Sequence, residues 1–324
     1  MDASTNTQFR PADAAAIADA AIVLRRGDLV AFPTETVYGL GADATNGNAV
    51  ASVFAAKGRP QFNPLIIHVK DMAQAETLVH FSPAAMKLAK LFWPGALTLV
   101  LPRRAGSPVS LLASAGLETI ALRMPAHPVA QQLLEAAGVP IAAPSANLSG
   151  RISATAASHV ADELSGKVTL VLDGGPTPLG IESTVVGFDG DIPVLLRPGA
   201  IARDAIEAVV GALHKPGGGK IASPGQLESH YAPRARLRLD AKNVEPGEAL
   251  LAFGPKVPSG ALQVLNLSAG GDLREAAANL FAMLRTLDSS GAGAIAVMPI
   301  PHAGLGEAIN DRLRRAAAPR GDQR

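Results

Sequence analysis

Five short apolar runs limit what this chain can become: LIIHV (65–69), ALTLVL (96–101), ETIALRM (118–124), VTLVLD (168–173) and STVVGF (183–188). Each has the length of a strand, and each is too short for a buried helix. Stretches of helical period near 11–26, 46–57, 82–92, 126–138, 154–164 and 201–213 interleave with them. Helices set among apolar strands predict an α/β fold, a twisted open sheet with helices on its faces. In such sheets ligands sit at strand ends, so the polar residues that close these runs are the first candidates for function.

At 324 residues the chain exceeds one typical core and suits two. The segment KPGGGKIASPGQLESHYAPRARLRL, which follows His214, is rich in Gly, Pro and Ser and has no helical period. Beyond it, EALLAFG (248–254), VLNLS (264–268) and AIAVMP (294–299) read as strands. Leu273, Ala277, Leu280, Phe281, Leu284 and Leu287 fall on one helical face, and a basic helix ends near Arg315. The expected division is a domain over 1–213, an extended linker over 214–236, and a smaller Rossmann-like α/β domain over 237–324.

A net charge of +1 provides no whole-molecule field to draw the chain onto nucleic acid, so any bound anion must be met by local charge. The absence of cysteine excludes disulfides, thiolate catalysis and zinc–thiolate sites. The N-terminus lacks a signal-peptide core, and no apolar segment approaches the ~18 residues that span a bilayer. A soluble, cytoplasmic protein without membrane contact is expected.

Two motifs mislead. GLGADA (39–44) has the form of a dinucleotide fingerprint, but no acid follows at ribose-binding distance; Lys57 and Arg59 stand there instead. PGGGK is not a P-loop, because His214 occupies the first glycine position and Ile221 the Ser/Thr position. The seven histidines include no pair at helical metal-ligand spacing, so no dedicated metal site is expected.

The stretch KGRPQFNPL (57–65) sets two cations and an amide in a connection stiffened by two prolines. Other polar residues interrupt or close apolar runs: Thr34, Glu35 and Thr36; His68; Arg123; Ser145, Asn147, Ser149 and Ser153; Glu182, Ser183 and Thr184; and Arg197. Singly, each has an ordinary structural role in a turn, a core or a snorkelling surface position. Together, Lys57, Arg59, Arg123 and Arg197 with the hydroxyl-rich PSANLSG describe a site for an anionic ligand. Each charge-assisted hydrogen bond is worth roughly 1.5–3 kcal/mol, so three or four suffice without a metal. With no nucleophile elbow and no acid pair, such a site acts by positioning and charge stabilisation, as in phosphoryl or nucleotidyl transfer.

In order, FPTETVYGLG, KGRPQFNPLIIHV, WPGALTLVL, ALRMPAHP, PSANLSG, GIESTVV, LRPG and SPGQLESHYAP resemble the threonylcarbamoyl-AMP synthases of the YrdC superfamily, in their long two-domain form. The resemblance runs from about residue 10 to about residue 316 and includes INDRLRRA near the end. Ala96 departs from the proline common there. It implies a YrdC-like first domain and a reaction in which ATP, L-threonine and bicarbonate give threonylcarbamoyl-adenylate and pyrophosphate. The product would pass to the enzymes that modify the adenosine beside the anticodon of certain tRNAs, with at most a weak tRNA contact by this chain.

Carried across by motif, Thr36, His68, Arg123, Ala143 and Ser183 would bind threonine, with Arg123 on its carboxylate. Arg59, Asn63, Thr119, Ser145, Ser153, Arg197 and Tyr231 would bind ATP. Lys57 and Arg59 would serve catalysis by screening phosphate charge, magnesium would arrive on the phosphates, and the linker would close over the site as a lid. A rival reading is an RNA-binding module of the YrdC type without synthase activity; twelve aromatics and strand-end cations fit it poorly. Carbamoyl transfer to another protein, as in larger hydrogenase-maturation proteins with a similar domain, would require added cysteine-bearing regions.

Overall fold

The structure is a computed structural model and describes residues 6–217 and 230–319. The central part of the expected lid, 218–229, lies outside the described residues. The first body contains, in order, β1 (Gln8–Pro11), α1 (Ala14–Arg25), β2 (Val30–Pro33), β3 (Tyr38–Asp43), α2 (Gly47–Lys57), β4 (Ile66–His68), α3 (Met72–Leu78) and α4 (Pro83–Phe92). It continues through β5 (Leu97–Pro102), β6 (Thr119–Arg123), α5 (Pro128–Ala137), β7 (Ile141–Ala142), α6 (Ala157–Leu164), β8 (Leu170–Asp173), β9 (Thr184–Asp189), β10 (Ile192–Arg197) and α7 (Arg203–Val210). The second body contains β11 (Arg236–Arg238), β12 (Glu248–Ala252), β13 (Val264–Asn266), α8 (Leu273–Asp288), β14 (Ala294–Val297) and α9 (Gly306–Ala317).

The first body's strands form one mixed sheet in the order β1-β8-β2-β3-β7-β4-β6-β5-β9-β10. Parallel pairing of β4 with β6 sets His68 beside Arg123 at their C-terminal ends. The second body has a smaller, all-parallel sheet in the order β11-β14-β12-β13. The five apolar runs became β4, β5, β6, β8 and β9, as their length and composition require.

GLGADA is a buried strand, β3, paired antiparallel with β2 and joined to it by a tight turn at Thr34–Val37. Its glycines serve packing: a β-carbon at Gly41 would lie 2.8 Å from the Phe32 ring and 3.0 Å from Ile141. The helix ending at Lys57 starts from an Asn46 cap and stops at Gly58, whose φ of 58° is easy only for glycine. That stop launches KGRPQFNPL directly into β4.

The second core is continuous across the boundary between the bodies. Val37, Ile152 and Ile181 of the first body pack in one cluster with Tyr231, Phe281 and Leu313. Gly180, at φ 62°, fits against α8 so closely that a β-carbon there would lie 2.2 Å from the Ala278 carbonyl oxygen. Gly180→Ala is therefore expected to lose about 1–3 kcal/mol beyond the backbone penalty shown by Gly116→Ala, which has a positive φ but open space around it. Thermal denaturation of the two variants measures the difference.

Candidate active site

The C-terminal ends of β4 and β6, the β2–β3 turn and the loops around Ala143 and Glu182 surround a cleft with about 590 Å³ of empty space, part of it open to solvent. Nine of the thirteen residues expected to bind threonine or ATP or to serve catalysis line it, Thr36, Arg59, His68, Arg123, Ala143, Ser145, Ser183, Arg197 and Tyr231, and so do Thr34 and Glu182. The lining, apolar walls with a few convergent polar groups, is that of a small-molecule site.

At one end Arg123 is nearly fully buried and carefully held. Its Nη2 pairs with Glu35 Oε1 at 2.6 Å, Nη1 donates to Thr36 Oγ1 at 2.8 Å, and Nε donates to the Gly95 carbonyl at 3.1 Å. Thr36 Oγ1 in turn shares a 2.8 Å hydrogen bond with Thr34 Oγ1, which bonds the Val37 carbonyl. Burial alone would raise the Glu35 carboxyl; the Arg123 charge and hydrogen bond outweigh it and hold it below the ordinary range. Beside them, burial and then the Arg123 charge lower His68 to about 3. The imidazole is neutral at physiological pH, and its Nδ1 has no hydrogen-bond partner among the described residues.

The other end is cationic and differently supported. Arg59 Nη2 donates to the Pro64 carbonyl at 3.0 Å and Nε to the Asn63 carbonyl at 3.3 Å, both within its own loop. Arg197 Nη2 donates to the Ser183 carbonyl at 2.8 Å and to Ser183 Oγ at 3.1 Å. Ser183 Oγ also shares a 2.7 Å hydrogen bond with Thr98 Oγ1. Among the described residues neither guanidinium has a carboxylate at ion-pair distance. Burial chiefly lowers Arg59 to about 10, which leaves it protonated.

Four residues expected in the site do not line the cleft. Lys57 stands behind its wall, with Nζ donating to the Ser145 carbonyl at 2.6 Å and to the Asn147 carbonyl. Burial, and then Arg59, depress its ammonium well below the ordinary range. Ser153 is fully buried and donates to Glu182 Oε1 at 2.5 Å. Asn63 is fully buried, and neither side-chain polar atom has a partner among the described residues. Thr119 is half-buried at the start of β6, opposite Pro102.

Tyr231, just before β11, lines the cleft and packs into the core of the second body. It is buried with φ at 65°, stacks on Phe281 at 5.4 Å, and has the Arg312 and Arg315 guanidinium carbons each 5.2 Å from its ring centre. Sequence reasoning did not find the partners of these groups, Glu35 for Arg123 and Arg312 for Glu182. The signal for Arg312 was present: Ile309, Arg312, Leu313 and Ala316 follow the i, i+3, i+4, i+7 spacing of a buried face.

A family model described as "Telomere recombination" (Sua5_yciO_yrdC) matches residues 22–199, and one described as "Threonylcarbamoyl-AMP synthase, C-terminal domain" matches residues 201–318. The chain is 44% identical to the threonylcarbamoyl-AMP synthase of Bacillus subtilis, over 94% of this chain and 93% of that one. A shorter relative, the putative threonylcarbamoyl-AMP synthase of Mycobacterium tuberculosis, is 40% identical over 60% of this chain and 89% of its own. The fold superimposes on the crystal structure of Pyrococcus abyssi Sua5 complexed with L-threonine with a TM-score of 0.87, at 40% identity and covering 96% of each chain.

The neutral His68 makes a prediction about acid. In the unfolded chain the imidazole takes up its proton as pH falls through 6.5, whereas in the folded protein it waits until about 3. Stability should therefore fall as pH drops from 6.5 towards 4, by up to about 1.4 kcal/mol per pH unit from this residue. Urea unfolding at pH 7, 6 and 5 should show a shallower loss in His68→Gln than in the parent.

Proposed function

The chain belongs to the threonylcarbamoyl-AMP synthase family, and from that premise we propose how its cleft joins ATP, L-threonine and bicarbonate into threonylcarbamoyl-adenylate and pyrophosphate. The observation that carries the reading is the contrast between the two ends. Arg123 is ion-paired to a carboxylate and fixed in place, while among the described residues Arg59 and Arg197 hydrogen-bond only to neutral oxygens, with Glu182 close enough to Arg197 to act on its charge but not at ion-pair distance. A polyanion belongs at the second end.

Arg123 is the seat for the amino-acid carboxylate. A guanidinium has five N–H groups; hydrogen bonds to Thr36 and Gly95 use two, and Glu35 stands at ion-pair distance from Nη2. The N–H groups not so committed suit a carboxylate, and Pyrococcus abyssi Sua5, known complexed with L-threonine, supports threonine as its owner. His68 contributes an uncharged imidazole beside that seat, and Thr36, Ala143 and Ser183 shape the rest.

In the reaction, the threonine amine combines with bicarbonate, losing water, to give a carbamate. A carbamate oxygen then bonds to the α-phosphorus of ATP, and the bond to the β-phosphate oxygen breaks to release pyrophosphate. Arg59 and Arg197 balance charge as it shifts onto the leaving phosphates, with Ser145 and Tyr231 along the nucleotide. Lys57 supports this end from behind by fixing the Ser145–Asn147 backbone. Asn63, Thr119 and Ser153 complete the nucleotide side from the surrounding shell.

Magnesium supplies neutralisation of phosphate charge when bound. The described residues include no group of three metal-ligating side chains, and Glu182 is committed to Ser153 and Arg312, so the ion fits as cargo on the triphosphate. Among the described residues no helix is long and apolar enough to cross a membrane. A cytoplasmic site of action, with the adenylate handed to tRNA-modifying transferases, suits this chemistry.

Purified protein with ATP, magnesium, bicarbonate and L-threonine should release pyrophosphate only when threonine is present, with an adenylate of the matching mass. Arg123→Ala should raise KM for threonine and Arg59→Ala KM for ATP, each by about 10- to 100-fold. Threonine-independent release, or both variants acting on one substrate, contradicts the assignment.

A further inference from the structure

Arg312 is in α9 of the second body and is completely buried, which an arginine tolerates only when its charge is matched. Its match lies across the boundary. Nε donates to Glu182 Oε2 at 2.8 Å, while Nη1 donates to the neighbouring Asp311 at 2.6 Å. The other Glu182 oxygen accepts from Ser153 Oγ at 2.5 Å, and the guanidinium carbon stands 5.2 Å from the centre of the Tyr231 ring. Glu182 and Tyr231 both line the cleft, and the residue after Glu182 is the Ser183 that holds Arg197.

We propose that Arg312 is a positioning residue for the nucleotide end of the cleft: from the second body it fixes Glu182, and with it Ser153, while its own guanidinium lies over the Tyr231 ring. The second body thereby shares in substrate binding. The inference rests on the reading of that end as the ATP site.

A second contact from the same body grips the same segment. Arg285 of α8 donates through Nη2 to the Ile152 carbonyl and to Glu163, each at 2.5 Å. The amide of Ala232, next to Tyr231, donates to the Gly150 carbonyl at 2.8 Å. The stretch that carries Ser145 and Ser153 is thus held by Lys57 at its start and by the second body at its end. The amino-acid end has a separate anchor, the Arg123–Glu35 pair, wholly within the first body.

A positioning role and a merely structural one differ in what they move. Loss of Arg312 leaves Glu182 buried without its cation, which destabilises any fold. Replacing both by apolar groups removes that penalty, because a buried ion pair is worth little net against well-packed apolar residues.

The test is steady-state pyrophosphate release by the full chain, with ATP and threonine varied separately, and thermal midpoints measured in parallel. Arg312→Met is expected to raise KM for ATP about 10-fold or more, as for loss of a charge-assisted hydrogen bond. KM for threonine should stay within about two-fold, since its anchor is independent. In the double variant Glu182→Leu/Arg312→Met the midpoint should recover while KM for ATP stays high; this variant is read alone if Arg312→Met does not fold.

An unchanged KM for ATP in folded Arg312→Met overturns the inference while leaving the site reading intact. So do ATP and threonine constants that rise together and recover with the midpoint. Parent protein without threonine-dependent release contradicts the site reading itself, and the inference falls with it.

Discussion

Two guanidinium groups, Arg59 and Arg197, face one cleft with no carboxylate at ion-pair distance among the described residues, and the rest of the site is arranged around that imbalance. Cations brought out of water near each other are costly unless paired. Here they are met by carbonyl oxygens and one hydroxyl, enough to orient them and too little to neutralise them. The lowering of Arg59 to about 10 is one expression of that cost. A triphosphate would relieve it, which is why we propose that these two charges hold the nucleotide.

Carboxylates are spent elsewhere. Glu35 holds Arg123 and Glu182 is held by Arg312, and both carboxyls stay ionised because these cations outweigh the effect of burial. Such pairs contribute little net stability, but they fix geometry in a way apolar packing does not. On the assignment proposed above, one fastens the amino-acid end within the first body and the other fastens the nucleotide end to the second, an arrangement that suits a reaction proceeding by positioning.

Much of this was legible in the sequence. Strands β4, β5, β6, β8 and β9 announced themselves as apolar runs, and α8 by its six-residue face. The strand-end polar residues did converge, because a sheet places the ends of neighbouring strands within a few ångströms. What was missed is what spacing does not encode. β1 has one exposed edge-strand turn of sequence with no apolar run, and β3 is built on glycines that strands usually avoid, admitted here for contact with Phe32. Lys57 reads as a screen for phosphate charge and Ser153 as an ATP ligand, and in the structure their side chains bond the loop and the carboxylate that form the wall. Telling a group that lines a cleft from one that supports its lining requires the third dimension.

The most direct measurement is a crystal structure of the protein with L-threonine and a non-hydrolysable ATP analogue. The account predicts the amino-acid carboxylate on Arg123 with the Glu35 pair still closed, and the phosphates within hydrogen-bond distance of both Arg59 and Arg197. Phosphates seated on Arg123, or a triphosphate bound away from Arg59 and Arg197, would contradict it.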